Sequence, residues 1–192
     1  MCTEKGFRQA GLTLVELIVF IVILGIGLAG IALVYNTVLR HSPSPVIHKQ
    51  ALSIAESLLL EIEQQPFTWC DSQDPAAPTA NDYAACTNPQ NALGPTPAGE
   101  TRGGANPFDN VADYHGYTAP ASDILGHNVL AGYEARVSIT RVGGTGPFVG
   151  FPADAVLRIE VTVTGSKFGA DPSAVSVTLT GYRTRYAPNA AG

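Results

Sequence analysis

Basic residues are scarce in this chain. Its 192 residues include 11 lysines and arginines against 16 aspartates and glutamates, which gives a formal net charge of -5 at pH 7. A protein that binds nucleic acid needs a basic face to hold the phosphates. The composition therefore excludes nucleic acid as an expected partner.

Sequence signatures of catalysis and of cofactor binding are also missing. The chain has no GxSxG or HExxH motif, and no cysteine has an obvious histidine partner among the four histidines. The glycine-rich residues 143–150 lack the Lys-Ser/Thr pair of a phosphate-binding loop, so we expect a hairpin connection there. The sequence thus predicts no enzyme activity and no cofactor.

Metal-binding patterns are equally sparse. Asp109, Asp113 and His115 lie close together in the sequence, but they lack the spacing of an EF-hand loop. Cys70 and Cys86 have neither a CxxC motif nor paired histidines around them, which argues against zinc. We therefore predict no metal, and a capped, hydrogen-bonded loop around the two aspartates.

One long apolar segment stands near the N-terminus. Residues 12–35 carry a single charged side chain, Glu16. As a helix this segment would extend about 36 Å, enough to cross a hydrocarbon core about 30 Å thick. Lys5 and Arg8 precede it, so the positive-inside rule places the N-terminus in the cytoplasm. The alternatives are a secretory signal cleaved near residues 29–32 and a plain membrane anchor.

Glu16 makes this segment unusual, because a lone carboxylate in hydrocarbon is costly and such residues are usually functional. The run GLTLVE at residues 11–16 resembles the prepilin signal of type IV pilins and pseudopilins. In that family a short polar leader ends in glycine. The resemblance therefore implies a leader at residues 1–11, a mature chain that begins at Leu12, and Glu16 as its fifth residue.

The resemblance also implies a role for each of these residues. A prepilin peptidase cleaves after Gly11 and methylates the amine of Leu12. Glu16 could pair with the Leu12 amine within one subunit or, as the family implies, with the Leu12 amine of the preceding subunit. Phenylalanine is usual in the family at the first mature position, where this chain has Leu12. Cleavage between Gly6 and Phe7 is rejected, because Gly11 would then stand where the glutamate belongs.

Small residues recur in the apolar segment, and Gly25 and Ala29 form a small-xxx-small pair. Such a pair lets two helices approach closely. Glycine is also common in membrane helices generally, so the pair indicates helix packing and simple membrane insertion about equally.

A second helix is predicted at residues 46–64, after prolines at positions 43 and 45 break the first one. Its apolar face consists of Ile47, Ala51, Ile54, Ala55, Leu58 and Ile62. Leu52, Leu59 and Leu60 lie outside this stripe. They would suit either contact with filament neighbours or a broad contact with the core.

Residues 66–128 are predicted as a long loop, since eight of the 14 prolines fall there. Apolar residues then alternate with a period of two at residues 133–140, 156–164 and 174–184, within a sheet region of 129–187. Strands of this kind form an antiparallel meander that can cover a helix with one face. The predicted fold class is α+β, with a long N-terminal helix, half transmembrane and half amphipathic, packed on a C-terminal antiparallel β-sheet. This is the type IV pilin layout.

The cysteines fit export to an oxidising compartment. Cys2 lies in the implied leader and would be removed, which leaves Cys70 and Cys86 as an expected disulfide pair. Trp69 is expected to pack on this disulfide, with an exposed ligand-stacking role as the alternative.

A closer resemblance is carried by FDNVADYHG at residues 108–116, with support from residues 50–52 and 66–67. It is to minor pilins of the mannose-sensitive haemagglutinin pilus (MshD type). This implies a minor pilin in type IV pilus biogenesis, made as a single-pass inner-membrane precursor. Residues 12–40 would form the transmembrane and assembly helix, and residues 41–192 would lie in the periplasm and then on the pilus at the cell surface.

The implied partners are other major and minor pilins, the prepilin peptidase, the inner-membrane assembly platform and the membrane itself. Three alternatives stay open from the sequence. A type II secretion pseudopilin has the same N-terminal signal. A tip adhesin would use the long loop to bind a surface ligand. A membrane-tethered periplasmic enzyme would need a nucleophile that the sequence does not offer.

Overall fold

A computed structural model describes residues 11, 13–41, 44–125, 127, 129–166 and 174–189. The chain divides into two compact units, residues 1–43 and 44–192. Several residues discussed above lie outside the described residues, namely Cys2, Lys5, Gly6, Phe7, Arg8 and Leu12.

The first unit contains one helix, α1, at Leu14–His41. Its stretch from Leu14 to Val38 has a mean hydropathy of 3.1 and is long and apolar enough to cross a membrane. The large apolar side chains along it are half or more exposed. A helix that is apolar all round cannot bury itself by lying on one surface, so α1 is built for lipid or for other apolar helices.

Two polar side chains near the end of this stretch are satisfied by the helix itself. The Asn36 amide donates to the Ala32 carbonyl at 3.0 Å, and the Thr37 hydroxyl donates to the Leu33 carbonyl at 2.9 Å. Such bonds to the preceding turn let polar residues sit in an apolar helix at little cost. Glu16 is the one charged residue between Leu14 and Val38.

The second unit begins with helix α2 at Ser44–Gln64, two residues before the predicted start. Pro45 is well suited to the first turn, where its missing N–H is not needed. The predicted apolar stripe faces the core. Its buried members are Ile47, Ala51, Ala55, Leu58 and Ile62, and Ile54 is partly buried against them.

The three leucines outside the stripe divide into two groups. Leu52 and Leu59 are partly buried and pack against the core, so a broad core contact, rather than a filament contact, accounts for them. Leu60 is 56% exposed. The face of α2 that lacks a partner within its own unit is thus narrower than the sequence suggested.

Four strands form a single antiparallel sheet in the order β1-β2-β3-β4. Their bounds are β1 Thr118–Pro120, β2 Tyr133–Arg141, β3 Val156–Gly165 and β4 Val175–Thr184. Helix α2 packs on β3 and β4. This confirms the α+β class with a long N-terminal apolar helix and a C-terminal antiparallel sheet.

Alternation along β3 puts the core on one face of the sheet. Val161 is paired with Val137 on β2 and with Leu179 on β4, so a row of apolar residues crosses three strands. Neighbouring positions of β3 such as Glu160 are only partly buried on the opposite face. The period-two pattern of the sequence is the direct cause, since successive side chains point to opposite faces.

The segment predicted as loop, 66–128, differs from that prediction in one place. Strand β1 lies inside it and pairs only with β2 at the sheet edge. The three residues of β1 are too few to show a period of two in the sequence. Its last residue, Pro120, has no N–H to donate to a neighbouring strand, and proline within a sheet is therefore confined to edge strands. The remaining described part of the segment consists of turns and short 3-10 helices.

Candidate functional site

Helix α1 begins with a side-chain cap that places Glu16 in its first turn. The Glu16 backbone N–H donates to Thr13 Oγ1 at 3.3 Å, and the Leu17 N–H donates to the Thr13 carbonyl at 3.2 Å. Thr13 is therefore the N-cap residue. The spacing Thr-x-x-Glu is the sequence signature of a capping box, a signal that our sequence analysis did not use.

The Glu16 carboxylate is exposed, and none of the residues that the structure describes pairs with it. The N-terminal end of a helix dipole favours a negative charge, so the position is reasonable for the isolated helix. In hydrocarbon the same charge would be costly without a cation. Leu12, the residue expected to supply that cation, lies outside the described residues.

Gly11 lies before the cap, in an exposed stretch without regular structure. A Cβ at this position would have no neighbouring atom within 4 Å.

Comparison with known proteins bears on this region. Residues 6–32 match a family model described as the prokaryotic N-terminal methylation motif. The N-terminus therefore carries the methylation motif of type IV pilin-like prepilins. No curated protein matches the chain, and no solved structure matches it. The matched motif includes Gly11, Thr13 and Glu16. It does not extend into the second unit, whose description rests on its fold alone.

A disulfide and the small apolar cluster around it stabilise the long loop of the second unit. The predicted disulfide between Cys70 and Cys86 is present, with the two Cα atoms 5.3 Å apart. Cys70 belongs to a small apolar cluster with Ala77 and Ala80, and Trp69 packs against it partly buried. The packing role expected for Trp69 is thus the one that the structure has.

Arg185, just beyond β4, joins this cluster to the sheet. Its guanidinium carbon lies 4.0 Å from the centre of the Trp69 ring and 4.3 Å from that of Phe67. It also donates to Asp154 Oδ2 at 3.1 Å and to the Tyr83 hydroxyl. Sequence reasoning missed Arg185, because nothing local marks an arginine that contacts a loop over 100 residues earlier.

A second arginine joins the loop to α2. Arg102 donates to both carboxylate oxygens of Glu61 at 2.8 and 2.6 Å, and the Tyr114 hydroxyl donates to the same carboxylate at 2.8 Å. The side chains of Arg102 and Glu61 are 10% and 14% exposed. Burial and the nearby Glu61 charge raise the pKa of Tyr114, so its hydroxyl stays a donor throughout the physiological pH range.

Hydrogen bonds of the capped loop account for two of the residues that suggested a metal site in the sequence, Asp113 and His115. Asp113 Oδ2 accepts the Asn110 N–H at 2.8 Å, while the Asn110 side chain caps the short helix at Val111–Tyr114. His115 Nδ1 accepts the Ile139 N–H at 3.0 Å. The capped-loop interpretation is therefore correct for Asp113 and His115.

The Asp109 N–H donates to Asp113 Oδ2 at 3.4 Å, and its carboxylate belongs to a group with Asp71 and Glu100. Burial, with smaller contributions from nearby carboxylates, raises the pKa of Glu100 to about 8. Burial likewise raises the pKa of Asp71 and of Asp109. No local pattern in the sequence marks this group, since its members are 38 positions apart at the extremes.

Proposed function

We propose that this chain is a minor pilin that takes part in the biogenesis of a type IV pilus, of the mannose-sensitive haemagglutinin kind. The observation that carries the proposal is the prepilin motif at residues 6–32 with Glu16 in the first turn of an apolar helix. The α+β unit that follows completes the pilin layout. In this proposal the chain is a structural subunit and not an enzyme.

The proposed life of the chain has two stages. A prepilin peptidase first removes residues 1–11 after Gly11 and methylates the new Leu12 amine, while residues 12–40 hold the chain in the inner membrane. Residues 41–192 lie in the periplasm. The helix then leaves the lipid and packs among the helices of other pilins, and the second unit reaches the cell surface.

Glu16 sets the register of this assembly. Its carboxylate pairs with the Leu12 amine of the preceding subunit, and the attraction is large because both charges are in a medium of low dielectric constant. A subunit at the wrong axial offset leaves both charges unpaired, which is strongly unfavourable in such a medium. The absence of a partner for Glu16 among the described residues supports this role.

Charge and helix capping at this site can be separated by two variants. Glu16→Gln removes the charge but keeps the backbone N–H that bonds to Thr13, whereas Thr13→Ala removes the cap and keeps the charge. We expect Glu16→Gln to lower incorporation into sheared pili about tenfold or more, the effect of losing about 1.4 kcal/mol of subunit affinity. Thr13→Ala should have a smaller effect, and Glu56→Gln, an exposed change on α2, should have none.

Immunoblots of sheared pili and of membranes provide the measurement. Membrane insertion and leader removal should be normal in all three variants, so that the loss is specific to assembly. Normal incorporation of Glu16→Gln would refute the register role. Mass spectrometry of the mature N-terminus should find Leu12 carrying one methyl group, and a start beyond Ala32 would instead indicate an ordinary secreted protein.

A deletion strain separates the pilus from the other systems that use the same signal. Loss of pili with normal protein secretion is the expected result. Lost type II secretion with normal pili would identify a pseudopilin. Normal pili that no longer adhere would identify a tip adhesin.

A further inference from the structure

Three carboxylates from distant parts of the loop converge in the second unit. Asp71, Glu100 and Asp109 each offer an oxygen, and these oxygens lie within 4.8 Å of one another. Asp71 follows a disulfide cysteine, and Asp109 precedes the capped turn that begins at Asn110. The group therefore lies where two rigid points of the loop approach each other.

Several oxygens of these carboxylates are buried without a hydrogen bond, although the Gln73 N–H donates to Asp71 Oδ1 at 2.9 Å. Glu100 is only 4% exposed, and both of its oxygens are buried without a hydrogen-bonding partner. Asp71 Oδ2 and Asp109 Oδ1 are in the same condition. Buried carboxylate oxygens in proteins are normally paired or bonded to a metal, so four such oxygens in one group point to a missing cation.

The neighbouring donors are already used. The Thr96 N–H, near Glu100, donates to Asp113 Oδ1 at 3.2 Å, and Gln90 donates to the same oxygen at 3.0 Å. None of the four ion pairs among the described residues includes a member of the group. No side chain that the structure describes therefore neutralises these three acids.

The donor atoms define the class of cation. All are carboxylate oxygens, which suit hard cations, and no histidine or cysteine belongs to the group. Two ligands on opposite sides of one Ca²⁺ ion are about 4.6–5.2 Å apart, whereas around Mg²⁺ they are about 4.0–4.2 Å apart. Oxygens that all lie within 4.8 Å of one another can bind one such ion, and of the two cations Ca²⁺ better tolerates the irregular geometry of side chains from three separate segments.

We propose that Asp71, Glu100 and Asp109 bind one Ca²⁺ ion. Asp109 is only partly buried, which leaves a route from solvent to the ion. Backbone carbonyls or water would complete the coordination, as is usual for calcium. The ion would tie residue 100 to two segments that the disulfide and the capped turn already fix, and so order the part of the loop between them.

Calorimetric titration of the full-length protein in detergent micelles tests the proposal. Calcium chloride is added after treatment with EDTA and dialysis, with magnesium chloride as the competing probe. We expect one site with a dissociation constant on the order of 10⁻⁴–10⁻³ M, as in extracellular calcium modules. Glu100→Gln should weaken it about tenfold or more, because it removes one charge from the ligand set. Glu56→Gln, the same chemical change at an exposed site, should bind like the wild type.

Thermal unfolding gives a second test. A purely structural role for Glu100 would not make the change in Tm depend on calcium. Calcium at ten times its dissociation constant should raise the wild-type Tm by about 3–5 °C and leave that of Glu100→Gln unchanged. In EDTA, Glu100→Gln should be at least as stable as the wild type, because it removes an unpaired buried carboxylate.

Two results would overturn the proposal. One is an absence of both calcium heat and Tm shift in the wild type at about 10 mM, well above the expected dissociation constant. The other is an equal calcium response in wild type and Glu100→Gln. Should Glu100→Gln fail to fold, Asp109→Asn allows the same comparison, since Asp109 is partly exposed and close to solvent.

Discussion

Helices α1 and α2 follow each other in the chain and differ in the surroundings of one glutamate on each helix. Glu61 on α2 is held by Arg102 and Tyr114 of its own chain. Glu16 on α1 has no side-chain partner among the described residues. A charge that is already paired stabilises one folded unit, whereas the Glu16 carboxylate would be costly in hydrocarbon without a cation beside it.

The apolar residues of the two helices differ in the same way. The stripe of α2 is buried on the sheet, while the large apolar side chains of α1 are exposed from Leu14 to Val38. Helix α2 thus completes its contacts within the second unit. Substitutions in α2 should affect folding, and substitutions in α1 should affect assembly.

Exchange of each glutamate for alanine should give the largest contrast. Glu61→Ala leaves Arg102 nearly buried without its carboxylate, and breaking such a pair costs about 3 kcal/mol or more of unfolding free energy. Glu16→Ala should leave the unfolding free energy of the second unit unchanged. Urea unfolding in detergent, followed through the fluorescence of Trp69, the single tryptophan, measures both. A loss below about 1 kcal/mol for Glu61→Ala would show that the ion pair is unimportant for the fold.

Two leucines on α2 sharpen the comparison within one helix. Leu58 is 4% exposed in the core and Leu60 is on the open side. We expect Leu58→Ala to lower the unfolding free energy by about 2–5 kcal/mol, and Leu60→Ala to change it by less than about 0.5 kcal/mol. The same urea titration applies. Equal losses would mean that α2 has no free face.

Two glycines give the smallest expected effects. A Cβ at Gly181 on β4 would meet only the ends of the flexible Glu63 and Leu59 side chains, which can move aside, so Gly181→Ala should cost less than about 0.5 kcal/mol. At Gly25 on α1 a Cβ meets nothing within 4 Å. Gly25→Ala should therefore leave unfolding unchanged. A clear drop in pilus incorporation, but not in membrane insertion, would show that Gly25 packs against another subunit.

The parts of the fold with a repeating pattern could be predicted from the sequence. Strand β3 was recognised because Leu157, Ile159 and Val161 alternate with polar residues, and all three are buried. The face of α2 followed from its helical spacing in the same way. In both cases neighbouring residues in the sequence carry the information about which side is buried.

The loop could not be predicted in this way. The contacts of Arg102 with Glu61 and of Arg185 with Trp69 join residues 41 and 116 positions apart. Neither contact leaves a local pattern, and the grouping of Glu100 with Asp71 and Asp109 depends on the same long-range folding. At the N-terminus the reverse holds, since Thr13 and Glu16 are three residues apart and their capping signal was present in the sequence.

The position of Arg185 has a consequence for the order of events during synthesis. Its partner Tyr83 is made 102 residues earlier, a delay of about 5–20 s at ordinary rates of translation. During that interval both cysteines of the loop already exist, but the cation that stacks on Trp69 does not. The contacts of Arg185 with Trp69 and Tyr83 therefore form only after β4 has been synthesised. The loop reaches its final form when β4 has joined the sheet.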